Sequence, residues 1–196
     1  MSSPRLRRLQ ADYEDVRAEF SGHPHVSVEP LGDRIPPERY KVQFRLRGLT
    51  LSGDQPEYRD VHDVEVTLPR AYPSEKPYCV PVEPIFHPNI KDYFCIADHW
   101  AAGMSLVDVL VQLGNMIQWR EYNVYSPLDA IAARWAVQQE QTGQEVFPIG
   151  KVDLGVADFR VEIKPHPTIG ALAPLEDGGS EGALEDDDDF VVALRG

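Results

Sequence analysis

Apolar residues first recur at Leu6, Leu9, Tyr13, Val16 and Phe20, intervals of 3, 4, 3 and 4 that line one face of an α-helix. Ser21-Gly22-His23-Pro24 follows and ends it, since glycine and proline just past the last apolar contact both stop helices. The pattern then turns to alternation at Val26 and Val28, at Tyr40, Val42, Phe44 and Leu46, and at Val64, Val66 and Leu68. Period 2 predicts strands with one buried face, and the turn formers Gly32-Asp33 and Ser52-Gly53-Asp54 separate them. An antiparallel meander packed under the first helix is the expected arrangement. Tyr72 to Pro88 holds five prolines, so it should run extended and form at best a broken edge strand. Helical spacing returns with Leu106, Val109, Leu110, Leu113 and Ile117, capped by Ser105. A third stripe, Leu128, Ile131, Ala132 and Trp135, is entered through Ser126 as N-cap and Pro127 at the first helical position. Val152, Leu154 and Val156, then Phe159, Val161 and Ile163, alternate again and predict a late strand or hairpin. The fold class is α+β: an N-terminal helix, a meander of about four strands, a reactive loop and two C-terminal helices.

Charge redraws the outline at the C-terminal side. From His166 to Gly196 eight acidic residues face one basic residue, Arg195, a balance of −7 that leaves −6 of the chain's −13 for the rest. Acidic, rich in Gly, Ala and Pro, and without lasting periodicity, 166–196 should be a disordered tail. Its Leu184-Glu185 to Asp189 run followed by Phe190-Val191-Val192-Ala193-Leu194 reads either as a solvated segment or as a short motif that folds onto a partner. A net charge of −13 argues against holding nucleic acid through its phosphates. No apolar run approaches the ~20 residues of a membrane span. No apolar stretch follows Arg5-Leu6-Arg7-Arg8, so no secretory signal is expected. Two cysteines make no disulfide framework and fit a reducing, cytoplasmic setting.

Reactive side chains concentrate between His87 and Trp100, in His-Pro-Asn-Ile-Lys-Asp-Tyr-Phe-Cys-Ile-Ala-Asp-His-Trp. Taken alone, Cys95 fits three roles: a small buried hydrophobe, a metal ligand with Cys79, His87 and His99, or a nucleophile paired with His99 or His87. The spacings match no standard zinc pattern, and Cys95 neither opens a helix nor sits in a glycine-rich turn. No cofactor motif is present, so neither cofactor nor metal is expected.

A fourth reading comes from the ordered set Tyr72-Pro73, Lys76-Pro77, His87-Pro88-Asn89, Cys95, Trp100, Ser105-Leu106, Val109-Leu110 and Ser126-Pro127-Leu128. This set resembles the ubiquitin-conjugating enzymes over about Arg5 to Gln139. The resemblance makes 1–146 a conjugating-like catalytic domain, 147–165 an extension and 166–196 the tail. Asn89 to Cys95 is six positions, shorter than the eukaryotic pattern, and the glycine-bearing turn before the cysteine is missing. Such trimming resembles the divergent conjugating enzymes of bacterial ubiquitin-like operons, antiphage systems among them.

What the resemblance implies is acyl transfer through a thioester. Cys95 matches the acceptor of a ubiquitin-like protein, and Asn89 the amide that either donates to the oxyanion or orders the loop beside it. Ser126, Asp98 and Tyr125 fall where the incoming lysine would be positioned, Ser126 also being the helix cap. His87, Pro88 and Trp100 match structural positions, and Cys79 should be inert. Arg5, Arg7 and Arg8 match the surface that meets the activating enzyme. Implied partners are the ubiquitin-like protein, that enzyme, a protein substrate and in some systems a ligase. A non-catalytic binding module of the same fold and a Cys–His hydrolase are the competing functions.

Overall fold

The computed structural model describes residues 3–96, 100–142 and 146–155. Helix α1 (Pro4–Phe20) starts where Ser3 Oγ accepts the Leu6 amide proton and Pro4 supplies a pre-set φ. Leu9, Val16 and Phe20 are buried as the stripe predicts, but Leu6 is 44% exposed. Asp12 is buried instead, which the stripe does not anticipate.

Strands β1 (Val26–Pro30), β2 (Arg39–Phe44), β3 (Gly48–Ser52), β4 (Gln55–Arg59), β5 (His62–Thr67) and β6 (Tyr78–Pro81) follow. Four form one antiparallel sheet in the order β1-β2-β5-β6. Its register sets Val28 beside Val42 and Val42 beside Val64, and Tyr40 beside Val66 beside Cys79. Apolar side chains therefore run in rows across one face. The Pro-rich segment supplies the edge strand β6, whose Pro81 sits where a missing donor costs least. The stretch around Ser52-Gly53-Asp54 is more than a turn. It is the tip of a separate hairpin, β3–β4, with Gly53 at φ 61 in a two-residue loop.

Helix α1 packs on β1 and on α2 (Leu106–Ile117), and the apolar faces of both helices enter the same core as the sheet rows. The α2 start is a full capping box: Ser105 Oγ accepts from the Asp108 amide while Asp108 accepts from the Ser105 amide. Asp12 ties these parts together. It accepts from Tyr72 Oη (2.7 Å), from the Leu106 amide (3.0 Å) and from Arg8 Nε (2.7 Å).

A second core gathers around Trp119 at φ 57, one residue past the C-cap of α2. The Trp119 ring stacks on Phe147 at 5.1 Å and meets Trp135 and Tyr122. Helix α3 spans Ala130–Gln141, later than the sequence predicts. Ser126 is not its cap and Pro127 not its first residue. Asp129 is the cap, its Oδ1 accepting from Ile131 and Ala132.

The predicted late strand does not form at 152–155. That segment is tied down as irregular backbone, with Val152 bonded to the Gln118 side chain and Leu154 buried against Gly114. Residues 156–163 and the acidic tail lie outside the described residues, as do Asp98 and His99.

Candidate functional site

The loop from His87 to Ile96 leaves β6 and folds back on it, Phe94 donating its amide proton to the Cys79 carbonyl at 2.9 Å. Within it the Ile90 amide reaches the His87 carbonyl and the Lys91 amide the Tyr93 carbonyl, giving a tight hairpin. The Cys95 amide donates to the Asn89 carbonyl at 2.9 Å, so the two residues six apart in sequence are backbone neighbours. The Cys95 side chain is half-buried and unpaired, whereas Cys79 is enclosed in the sheet core. Burial pushes the Cys79 thiol up to about 12, so it stays protonated and inert.

His87 is wholly buried with its ring edge-on to Trp119 at 4.9 Å. Its Nδ1 accepts the Asn89 amide proton (3.0 Å), which leaves Nε2–H to donate to the Glu121 carbonyl (3.2 Å). Desolvation lowers its pKa to about 3 and keeps the ring neutral. With both nitrogens committed, His87 is placed neither as a base for Cys95 nor as a metal ligand. Among the described residues no three His, Cys, Asp or Glu side chains gather as a metal site.

Asn89 clamps the loop to the chain ahead of α3. Its Nδ2 donates to the carbonyls of Asn123 (2.9 Å) and Ser126 (3.3 Å), and its Oδ1 accepts the Asn123 amide (2.6 Å). Both amide protons are thereby used on the loop, so in this conformation the carboxamide orders backbone and does not reach out as a free oxyanion donor. The Pro88 carbonyl completes the clamp by accepting from the Leu128 (2.7 Å) and Asp129 (3.0 Å) amides. That pinning holds Ser126-Pro127-Leu128 outside the helix and moves the cap to Asp129.

Ser126 is exposed beside this clamp, and Tyr125 is 81% exposed with its amide held by Asn123 Oδ1. Trp100 is half-buried and packs on the Tyr72 ring at 5.8 Å. A groove of about 700 Å³ runs from the β3–β4 hairpin along β6 to the loop, with Leu51, Val82 and Ile85 on its walls and Lys91, Asp92 and Asp129 at the loop end. The α1 arginines are unequal. Arg8 is built into the fold through Asp12, Tyr72 Oη and the Ala102 and Met104 carbonyls. Arg5 is half-buried on Glu38 and the Pro69 carbonyl, and Arg7 lies on the exposed face. Arg8 is therefore a structural cation and not a surface charge.

Sequence reasoning missed Asp12, Trp119, Asn123 and Asp129. Asn123 carried a readable signal, an Asx-turn former three residues before Ser126-Pro127.

The family model described as ubiquitin-conjugating enzyme matches residues 41–147, more than half of the chain. The chain belongs to the ubiquitin-conjugating enzyme family, a family of transferases. Among solved structures it is similar to a candidate ubiquitin conjugating enzyme from Plasmodium yoelii, with 18% identity and a TM-score of 0.51. That likeness covers 72% of this chain and 89% of the other, and it concerns the fold. No curated protein matches the chain by sequence.

Proposed function

We propose that Cys95 accepts a ubiquitin-like protein from its activating enzyme as a thioester and passes it to a lysine of a target protein. The observation that carries this reading is the half-buried, unpaired Cys95 thiol, held by its own amide against Asn89 in a loop braced on both sides. The Cys95 thiolate attacks the carbonyl carbon of the activating enzyme's thioester, and that enzyme's sulfur leaves as thiolate. The neutral lysine amine then attacks the new thioester, an amide forms, Cys95 departs as thiolate and the amine's proton passes to solvent. The exchange is fast enough when the partner thioester is held beside the sulfur, because the step is then effectively unimolecular.

In this reading Asn89 acts as a positioning residue. It fixes the 123–126 loop, which presents Tyr125 and Ser126 to the incoming lysine. Asp98 belongs to the same assignment by its place in the sequence. The groove ending at Lys91, Asp92 and Asp129 offers room for the acceptor chain. Docking of the activating enzyme falls to the exposed face of α1, with Arg7 and the outer part of Arg5 as its charges. The short Asn89-to-Cys95 loop supports a place among bacterial ubiquitin-like conjugation systems, including antiphage ones, in the cytoplasm and with or without a ligase. The engaged nitrogens of His87 weigh against a hydrolase that pairs it with Cys95.

The test is Cys95→Ser, incubated with ATP, the activating enzyme and the ubiquitin-like protein. The native chain should form an adduct cleaved by thiols, and the variant a thiol-resistant, hydroxylamine-sensitive ester. No adduct in either form would instead favour a binding module, and cleavage without activation a hydrolase.

A further inference from the structure

Far along the chain from the Cys95 loop, the ends of β2 and β5 and the segment 149–152 enclose a groove of about 740 Å³. Leu46, Val61, Ile149 and Val152 give it an apolar lining, with Val61 exposed at 45%. His25, Arg45, Arg47 and Lys151 rim it. Arg47 is spent on Asp60 at 3.0 Å and lies over the Tyr58 ring. Arg45 and Lys151 are exposed and make no ion pair among the described residues. Three cations against Asp60 leave the lining at +2 in a chain of −13.

The wall is preformed. The Gly150 amide donates to the Gln118 carbonyl (3.1 Å), and Val152 exchanges two hydrogen bonds with the Gln118 carboxamide (2.8 and 3.0 Å). A side chain at Gly150 would meet the Arg47 carbonyl at 2.6 Å, so this backbone lies directly on the exit of β2. A rigid trough spares an incoming ligand most of the cost of ordering its site.

We infer that this groove docks an acidic segment of a partner protein, with an apolar side chain seated against Val61, Ile149 and Val152. Two cations without an ion pair among the described residues, beside a partly exposed apolar lining, match a peptide that offers carboxylates next to one large hydrophobe. A nucleic acid fits less well. The lining has no Trp, Tyr or Phe ring for base stacking, and the chain's overall negative charge opposes an extended polyanion. None of the lining residues belongs to the 87–96 loop, so the groove recruits and does not react.

The test titrates the isotope-labelled full chain with the peptide Glu-Asp-Glu-Leu-Phe-Asp-Glu-Glu and follows amide resonances. Arg45, Val61, Lys151 and Val152 should shift. R45E/K151E should weaken binding about tenfold or more, and raising salt should weaken the native interaction. The same variant should keep its melting temperature, and the peptide titration reads the groove whatever becomes of the thioester reading. Should it fold poorly, R45Q and K151Q singly, each expected to weaken binding about threefold, carry the comparison. The inference is overturned if no shift appears at millimolar peptide, if shifts fall elsewhere, or if the charge variants bind as the native chain does. Equal binding of a peptide with Ser in place of Leu and Phe, or tighter binding of a ten-residue oligothymidylate, overturns it as well.

Discussion

His87 and Asn89 are neighbours in sequence with opposite demands on the surroundings. His87 is stable only while uncharged, because its pocket provides one acceptor and one donor and no counter-charge. Its folded pKa of about 3 lies below the unfolded value, so between the two the unfolded chain binds the extra proton. Stability from this group is complete above about pH 6.5 and is lost progressively as pH falls toward 3. His62, also depressed by burial, adds to the same trend. Urea midpoints measured from pH 7 to pH 4 should fall steadily, and His87→Gln should flatten the slope. Asn89→Ala removes the partners of the Asn123 amide and carbonyl and should cost about 1–3 kcal/mol in the same assay. The two thiols diverge as sharply. Iodoacetamide at pH 8 should alkylate Cys95 and leave Cys79 untouched in mass spectra of the native chain, since Cys79 is both enclosed and held protonated up to about 12.

Among the elements, α1 depends on a carboxylate buried inside its own apolar stripe. Asp12 receives the Leu106 amide at the start of α2, the Tyr72 hydroxyl and the Arg8 guanidinium, so three segments distant in sequence meet on one side chain. Asp12→Ala strands Arg8 and a helix-start amide and should cost about 3–5 kcal/mol by denaturant titration. Asp12→Asn should cost less. Periodicity could find α1, α2 and the sheet because each buries one continuous face, and spacing alone reveals a face. It could not find Asp12, since a polar residue within a stripe reads as a break. The α3 start differs from the expected one for a related reason: Ser-Pro is a sound helix entry in isolation, but here the Pro88 carbonyl takes the Leu128 and Asp129 amides. The ordered set of motifs singles out Cys95 and Asn89 as candidates. The direction of the Asn89 carboxamide is not legible there, because it depends on a loop 34 residues away.

For the molecule as a whole, residues 146–155 are part of the fold although they form no helix or strand. Phe147 stacks on Trp119, Gly150 and Val152 bond to Gln118, and Leu154 fills the space that Gly114 leaves open on α2. Gly114→Val would push Leu154 out and should lower the melting temperature, with residues 149–154 becoming cleavable by dilute protease first. The exchange between Gln118 and Val152 also has a topological meaning. It buckles the polypeptide at two points on either side of α3, so that helix sits in a closed ring of chain. The buckle shortens the reach over which α3 can move from the Trp119 cluster. Hydrogen exchange should therefore show the amides of α3 and those of Gly150 and Val152 released together, as one unit.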